Sequence, residues 1–123
     1  MTHHDLTTVI VNWNTSDLLD GAIQNLLEYP ASGRTNEIVV VDNDSADDSV
    51  AMMADRWPEV RVIQMGENAG FCRANNAAIR DSSSDYVLLI NTDGRLQEGT
   101  LDVMLSHMEA DATCAVVGPR LVY

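Results

Sequence analysis

The chain has 123 residues, 46% of them hydrophobic, and no apolar run approaches the roughly 18 residues of a membrane span, so one soluble globular domain is expected. Its 19 acidic residues against 7 basic ones give a formal net charge of -12, and every basic residue is Arg. A surface of that sign repels nucleic-acid phosphates and anionic lipid heads, which excludes both as expected direct partners of this segment.

The acidity fits either adaptation to high salt or a generally acidic cytoplasmic protein. The N-terminal MTHHDLTT lacks the basic start and apolar stretch of a secretory signal, and Cys72 and Cys114 have no CxxC spacing. A reduced, cytoplasmic setting follows as the expectation, with peripheral attachment at the inner face of the membrane left open.

In chain order, Val9-Ile10-Val11 reads as a strand, followed by NWNTS. Leu18, Leu19, Ala22, Ile23, Leu26 and Leu27 then recur at helical spacing, with Thr15 or Ser16 as cap and Pro30 as stop. Ile38 to Val41 form a second strand ending at Asp42, and Val50, Met53, Ala54 and Trp57 mark the next helix, with Asp47 and Asp48 in its first turn. VRVIQM is the third strand, and FCRANNAAIR follows as a helix with Phe71, Ala74, Ala78 and Ile79 on one face. Val87 to Ile90 read as a fourth strand buried on both faces. Leu101, Met104, Leu105 and Met108 mark a last helix, and CAVVG reads as a fifth strand.

This alternation predicts an α/β, Rossmann-like domain: a mainly parallel sheet with helices on both faces. Ligands of such sheets bind beyond the carboxyl ends of the strands, where strand order reverses. Polar residues stand at each of those ends: Asn12 and Asn14, Asp42 and Asn43, Asn68, and Asn91 with Asp93.

Asp93 alone supports two readings, a contact to Mg²⁺ or Mn²⁺ that neutralises a diphosphate, or a simple Asp-Gly turn with Gly94. Asp42 to Asp48 does not satisfy the EF-hand spacing, because the sixth and twelfth places are Asp47 and Met53. It also departs from the DxDxT nucleophile of haloacid-dehalogenase-like phosphatases, since the Thr place is Ala46 and the chain has no Lys. Gly66 and Gly70 permit tight turns, and Arg73 is read as the only cation near the strand ends. Asn75 and Asn76 are poor helix formers that require either a ligand or a structural bond. Trp13 is read either as a platform for a base or as packing at a strand end.

Together VIVNWN, IVVVDNDSADDS, NAGFCRANNAAI and YVLLINTDGRL resemble, in order and spacing, the family 2 glycosyltransferases of GT-A fold, nearest their rhamnosyltransferase-like branch. The resemblance covers most of residues 7 to 105. It implies transfer of a sugar, with inversion, from a nucleotide-diphosphate sugar to an acceptor hydroxyl, in settings such as cell-surface polysaccharide assembly. It further implies that Val11, Asn12, Trp13 and Asn14 rim the base pocket, and that Asp42 with Asn43 reads base or ribose. Asn68, Gly70, Arg73, Asn75 and Asn76 then close over the nucleotide. Asn91, Thr92 and Asp93 stand for the DxD motif, with Asp93 as the metal ligand and Mg²⁺ or Mn²⁺ as cofactor. Asn91 replaces the first Asp, as is typical of the rhamnosyltransferase-like branch.

The resemblance also implies a longer protein, truncated here before the half that binds the acceptor, a saccharide, lipid-linked or protein hydroxyl. No catalytic base is assigned: the segment from Cys114 to Tyr123 has no Asp, Glu or His, so the base is expected beyond Tyr123. The alternatives are a non-catalytic nucleotide-sugar-binding domain and a receiver-like signalling module. The receiver lacks support because the first strand ends in NWN and Lys is absent. Pairing of an open sheet edge with a second copy is a further expectation.

Overall fold

Apolar, β-branched runs become four strands in the computed structural model, which describes residues 2–123. They are β1 (Leu6–Asn12), β2 (Asn36–Asp42), β3 (Arg61–Gln64) and β4 (Tyr86–Asn91). Amphipathic segments between and after them become α1 (Ser16–Glu28), α2 (Ser49–Arg56), α3 (Gly70–Asp81) and α4 (Thr100–Ala110). All strand pairs are parallel, in the order β3-β2-β1-β4. β1 and β2 run level from Leu6 opposite Asn36 to Asn12 opposite Asp42.

Side chains alternate across this sheet and build two cores. On one face Leu6, Ile10, Ile38 and Val40 pack with Leu19, Ile23 and Leu26 of α1, Met53 of α2, and Leu101 and Leu105 of α4. On the other, Val9, Val39 and Val41 meet Ala74 and Ala78 of α3. Both faces of the central strands are covered, which is why β1 and β2 are continuous apolar runs.

Four expectations are corrected. β4 is not buried on both faces: it is an edge strand whose residues alternate, with Val87 39% and Leu89 46% exposed on the same sheet face as α3, which packs on β1 and β2 and leaves them uncovered. Residues 114–118 form no strand; Val116 is 87% exposed, the segment pairs with none of the described strands, and Gly118-Pro119 ends the short apolar run. Phe71 and Ile79 lie outside the buried stripe of α3, which is carried by the small Ala74 and Ala78, with Asn75 beside them. Asp47 and Asp48 precede α2 rather than occupying its first turn, Asp48 standing at the N-cap. Among the described residues no helix is long and apolar enough to cross a membrane.

Candidate functional site

β2 lies on one side of β1 and β4 on the other, so the direction of sheet growth reverses at β1, and ligands of such sheets bind beyond the strand ends at a reversal of this kind. Asn12, Asp42 and Asn91 are the last residues of their strands and stand side by side there.

Asn12 and Asp42 are fully buried, and each is tied down by the other. The Asn12 amide donates to Asp42 Oδ1 at 2.9 Å and to Ser45 Oγ at 3.2 Å, and its carbonyl accepts from Thr15 Oγ1 at 2.8 Å. Asp42 also accepts from the Ser45 hydroxyl at 2.7 Å and the Ser45 N–H at 2.9 Å. Thr15 Oγ1 bonds Thr92 Oγ1 at 3.1 Å, so the network joins β1, β2 and the turn after β4. Asn14 is linked to the same loop: its N–H donates to Ser45 Oγ and its carbonyl accepts from Ala46 N–H. Asn14 (φ 54°) and Asp44 (φ 62°) are the two non-glycine residues of left-handed backbone among those described; Asn14 is in this network, and Asp44 sits between two of its members, Asp42 and Ser45. Asn and Asp tolerate that conformation, and it concentrates at binding sites.

Asp47 receives the N–H groups of Ser16 and Ser49 and the Ser49 hydroxyl, capping the starts of α1 and α2 together. Burial pushes its carboxyl up, but those hydrogen bonds outweigh burial and hold it below the usual carboxylate value. Thr15 occupies the α1 cap position without capping it; its hydroxyl is spent on Asn12 and Thr92.

On the β3 side, Asn43 bonds the loop that opens α3, accepting from Ala69 N–H at 3.3 Å and donating to Gly70 O at 3.2 Å. Asn68 accepts from Gly70 N–H, and Gly66 (φ 73°) and Gly70 (φ 79°) both take the left-handed backbone of a tight turn. Asn75 is buried and donates to Phe71 O within its own helix, which supplies the structural reason for an amide there. Arg73 pairs with Glu67 at 3.2 Å, and with Asn76 it lines a shallow cavity of about 210 Å³.

β4 ends in a turn closed by Gly94 N–H to Asn91 O at 2.9 Å. A Cβ at Gly94 would stand 2.7 Å from Ile90 Cγ1, so glycine is required by close approach. Arg95 lies against this turn, which corrects the expectation that Arg73 is the only nearby cation. Asn25 of α1 clasps the backbone of Leu96 from both sides, accepting from its N–H at 2.6 Å and donating to its carbonyl at 3.0 Å. Thr15, Asn25, Ser45 and Arg95 were missed by motif reasoning; only Asn25, a poor helix former inside a helix, carried a signal.

The polar residues thus fall into two sets. Asn12, Asp42, Asn43, Asn75 and Thr92 are buried and bonded to the protein, whereas Trp13, Asn14, Asn68, Gly70, Arg73, Asn76, Asn91 and Asp93 face solvent, with Val11 half-buried between. Trp13, 54% exposed, is not packed at the strand end. No group of three or more His, Cys, Asp or Glu among the described residues forms a cation cage. One exposed carboxylate beside an amide fits a cation of the Mg²⁺ or Mn²⁺ type that takes its remaining oxygens from phosphate and water. A cavity of about 560 Å³ between α4 and residues 114–120 contains none of the strand-end residues.

The chain is similar to proteins of known activity and structure. Succinoglycan biosynthesis protein ExoO of Rhizobium meliloti (strain 1021) is 32% identical over 107 residues, covering 86% of this chain and 30% of that protein. Pre-mycofactocin glycosyltransferase of Mycobacterium tuberculosis is 29% identical over 125 residues, covering 98% of this chain and 24% of that protein. The solved structure of the mannosyltransferase PcManGT from Pyrobaculum calidifontis, in complex with GDP-Man and Mn²⁺, superposes with a TM-score of 0.77 at 23% identity over 91% of this chain and 34% of that one. The chain therefore spans about a third or less of each, and its parallel sheet is that of GT-A glycosyltransferase structures. With residues 7–123 matching the family described as Glycosyl transferase family 2, the chain belongs to that family.

Proposed function

We propose that the chain is the donor-binding part of an inverting glycosyltransferase that takes a sugar from a nucleotide-diphosphate sugar. This reading rests on the strand reversal, where exposed Asn91 and Asp93 stand on a turn anchored to the buried Asn12–Asp42 network. A rigid edge of this kind presents polar groups without reorganisation when a charged ligand arrives.

In this reading Trp13 and Val11 offer an apolar rim to the base, and Asn14 and Asn68 supply polar edges. Asp42 and Asn43 act from beneath, through Asn12, Ser45 and the Gly70 loop, rather than by open contact. Arg73 and Asn76 flank the nucleotide from α3. Asn91 and Asp93 would hold Mg²⁺ or Mn²⁺ jointly with the diphosphate, and the ion would neutralise charge on the leaving group. The Pyrobaculum mannosyltransferase, solved in complex with GDP-Man and Mn²⁺, supports that cofactor.

The acceptor oxygen forms a bond to the anomeric carbon as the bond from that carbon to the diphosphate breaks, and the hydroxyl proton passes to a carboxylate base. We place that base, and the acceptor site, outside residues 1–123, in keeping with the third or less of its relatives that the chain spans. Asn91 in the first place of the motif supports the rhamnosyltransferase-like branch, and the ExoO name supports a saccharide acceptor. Calorimetric titration of UDP, dTDP and GDP, with and without Mn²⁺, tests the reading. One nucleotide binding more tightly with metal is expected; a folded chain that binds none of the three would overturn it.

A further inference from the structure

The turn that carries Asp93 is held by a cation, Arg95, which lies inside the YVLLINTDGRL stretch but has no role in the sequence reading. Arg95 Nη1 donates to Thr92 O and Gly94 O, both at 2.7 Å, and Nη2 donates to Leu18 O of α1 at 3.2 Å. One planar guanidinium therefore bridges the two carbonyls that flank Asp93 and the first turn of α1. The seat exists because residue 21 has no side chain: a Cβ on Gly21 would stand 2.6 Å from Arg95 Nη2.

We propose that Arg95 is a positioning residue for donor binding, fixing the backbone on both sides of Asp93 so that its carboxylate meets the diphosphate preformed. Building on the donor-binding reading above, this assigns Arg95 to the diphosphate end of the ligand and not to the base end. Lys cannot replace it, because a single ammonium on a flexible stem does not hold three carbonyls in fixed relation. Gly21 is the complementary half of the device. Ala there favours the helix, yet it displaces the far end of the Arg95 side chain at little cost to the fold.

The test compares the full chain with Arg95→Ala, Arg95→Lys and Gly21→Ala. Two readouts are taken: amide exchange at Gly94 without ligand, and affinity for a nucleoside diphosphate with Mn²⁺ set against the matching monophosphate. Expected are faster exchange at Gly94 and about tenfold weaker diphosphate binding in all three variants, with monophosphate binding nearly unchanged. Unchanged Gly94 exchange and diphosphate affinity would overturn the assignment of Arg95, as would equal loss of both nucleotides. If the unaltered chain binds no nucleotide, the donor reading itself fails, and the exchange data alone then decide whether Arg95 fixes the turn.

Discussion

Truncating Asn12 to Ala separates the framework of the site from its ligand-facing edge. The side chain is fully buried and makes three hydrogen bonds, one of them to the buried Asp42 carboxylate. A bond to a charged acceptor contributes about 1.5–3 kcal/mol. The other two partners keep alternatives: Ser45 Oγ still meets Asp42 and the Asn14 N–H, and Thr15 Oγ1 still meets Thr92. Each of those losses is therefore held to about 1 kcal/mol or less, and the total to about 1.5–5 kcal/mol. Set against the roughly 5–15 kcal/mol stability of an ordinary domain, that is a large share. At about 3–5 °C per kcal/mol for this chain length, Tm should fall by roughly 10 °C. Urea and thermal unfolding measure it, and Asp42→Asn in the same background closes a double-mutant cycle that isolates the coupling. A loss below about 0.5 kcal/mol, within the range of ordinary surface changes, would refute the network as the anchor of the strand ends.

Asp93→Ala should behave oppositely: the residue is exposed, so stability should change by no more than about 0.5 kcal/mol while diphosphate binding weakens, and an unfolded variant would contradict the assignment. Gly94→Ala should cost about 1–3 kcal/mol, because its Cβ would press on Ile90 Cγ1 at 2.7 Å and Asn91 O at 3.2 Å; a neutral result by urea unfolding would show that the turn yields. Asp47, held below the usual carboxylate value when folded, adds stability that is complete above its unfolded pKa of about 3.8 and is lost as pH falls through the lower folded one. Asp47→Asn should therefore shallow the acid limb of a stability–pH curve below about pH 4, and an unchanged limb would count against the double cap. With a net charge of -12, Tm should rise from dilute buffer to molar salt as repulsion is screened, and a flat response would remove self-repulsion as a factor.

The strands and helices were legible because each buries an apolar run or stripe, and the polar residues at strand ends stood out against those runs. Strand neighbours were not legible. Val87 to Ile90 read as doubly buried because periodicity reports side chains and not what covers them, and β4 proved to be an edge. Residues 114–118 have strand composition yet no partner ladder among the described strands, and three apolar residues do not hold a strand alone. The site was legible as a set of residues and not as a division of labour. Composition gives Asn12 and Asn14, or Asn75 and Asn76, the same chemistry, and only packing shows that Asn12 and Asn75 turn inward while Asn14 and Asn76 face out. Arg95 was illegible because its partners are backbone carbonyls, which every sequence has, and its seat is an unremarkable glycine on another element.

On the proposed reading, a nucleoside diphosphate binds at the strand reversal between β1 and β4. Mapping amide chemical shifts while titrating the best-bound nucleotide with Mn²⁺ tests it most directly. The largest changes should fall on Trp13, Asn14, Asn91 and Asp93, and should collapse toward the base side in Asp93→Ala. Changes centred instead on the cavity between α4 and residues 114–120, with the strand ends unmoved, would contradict it.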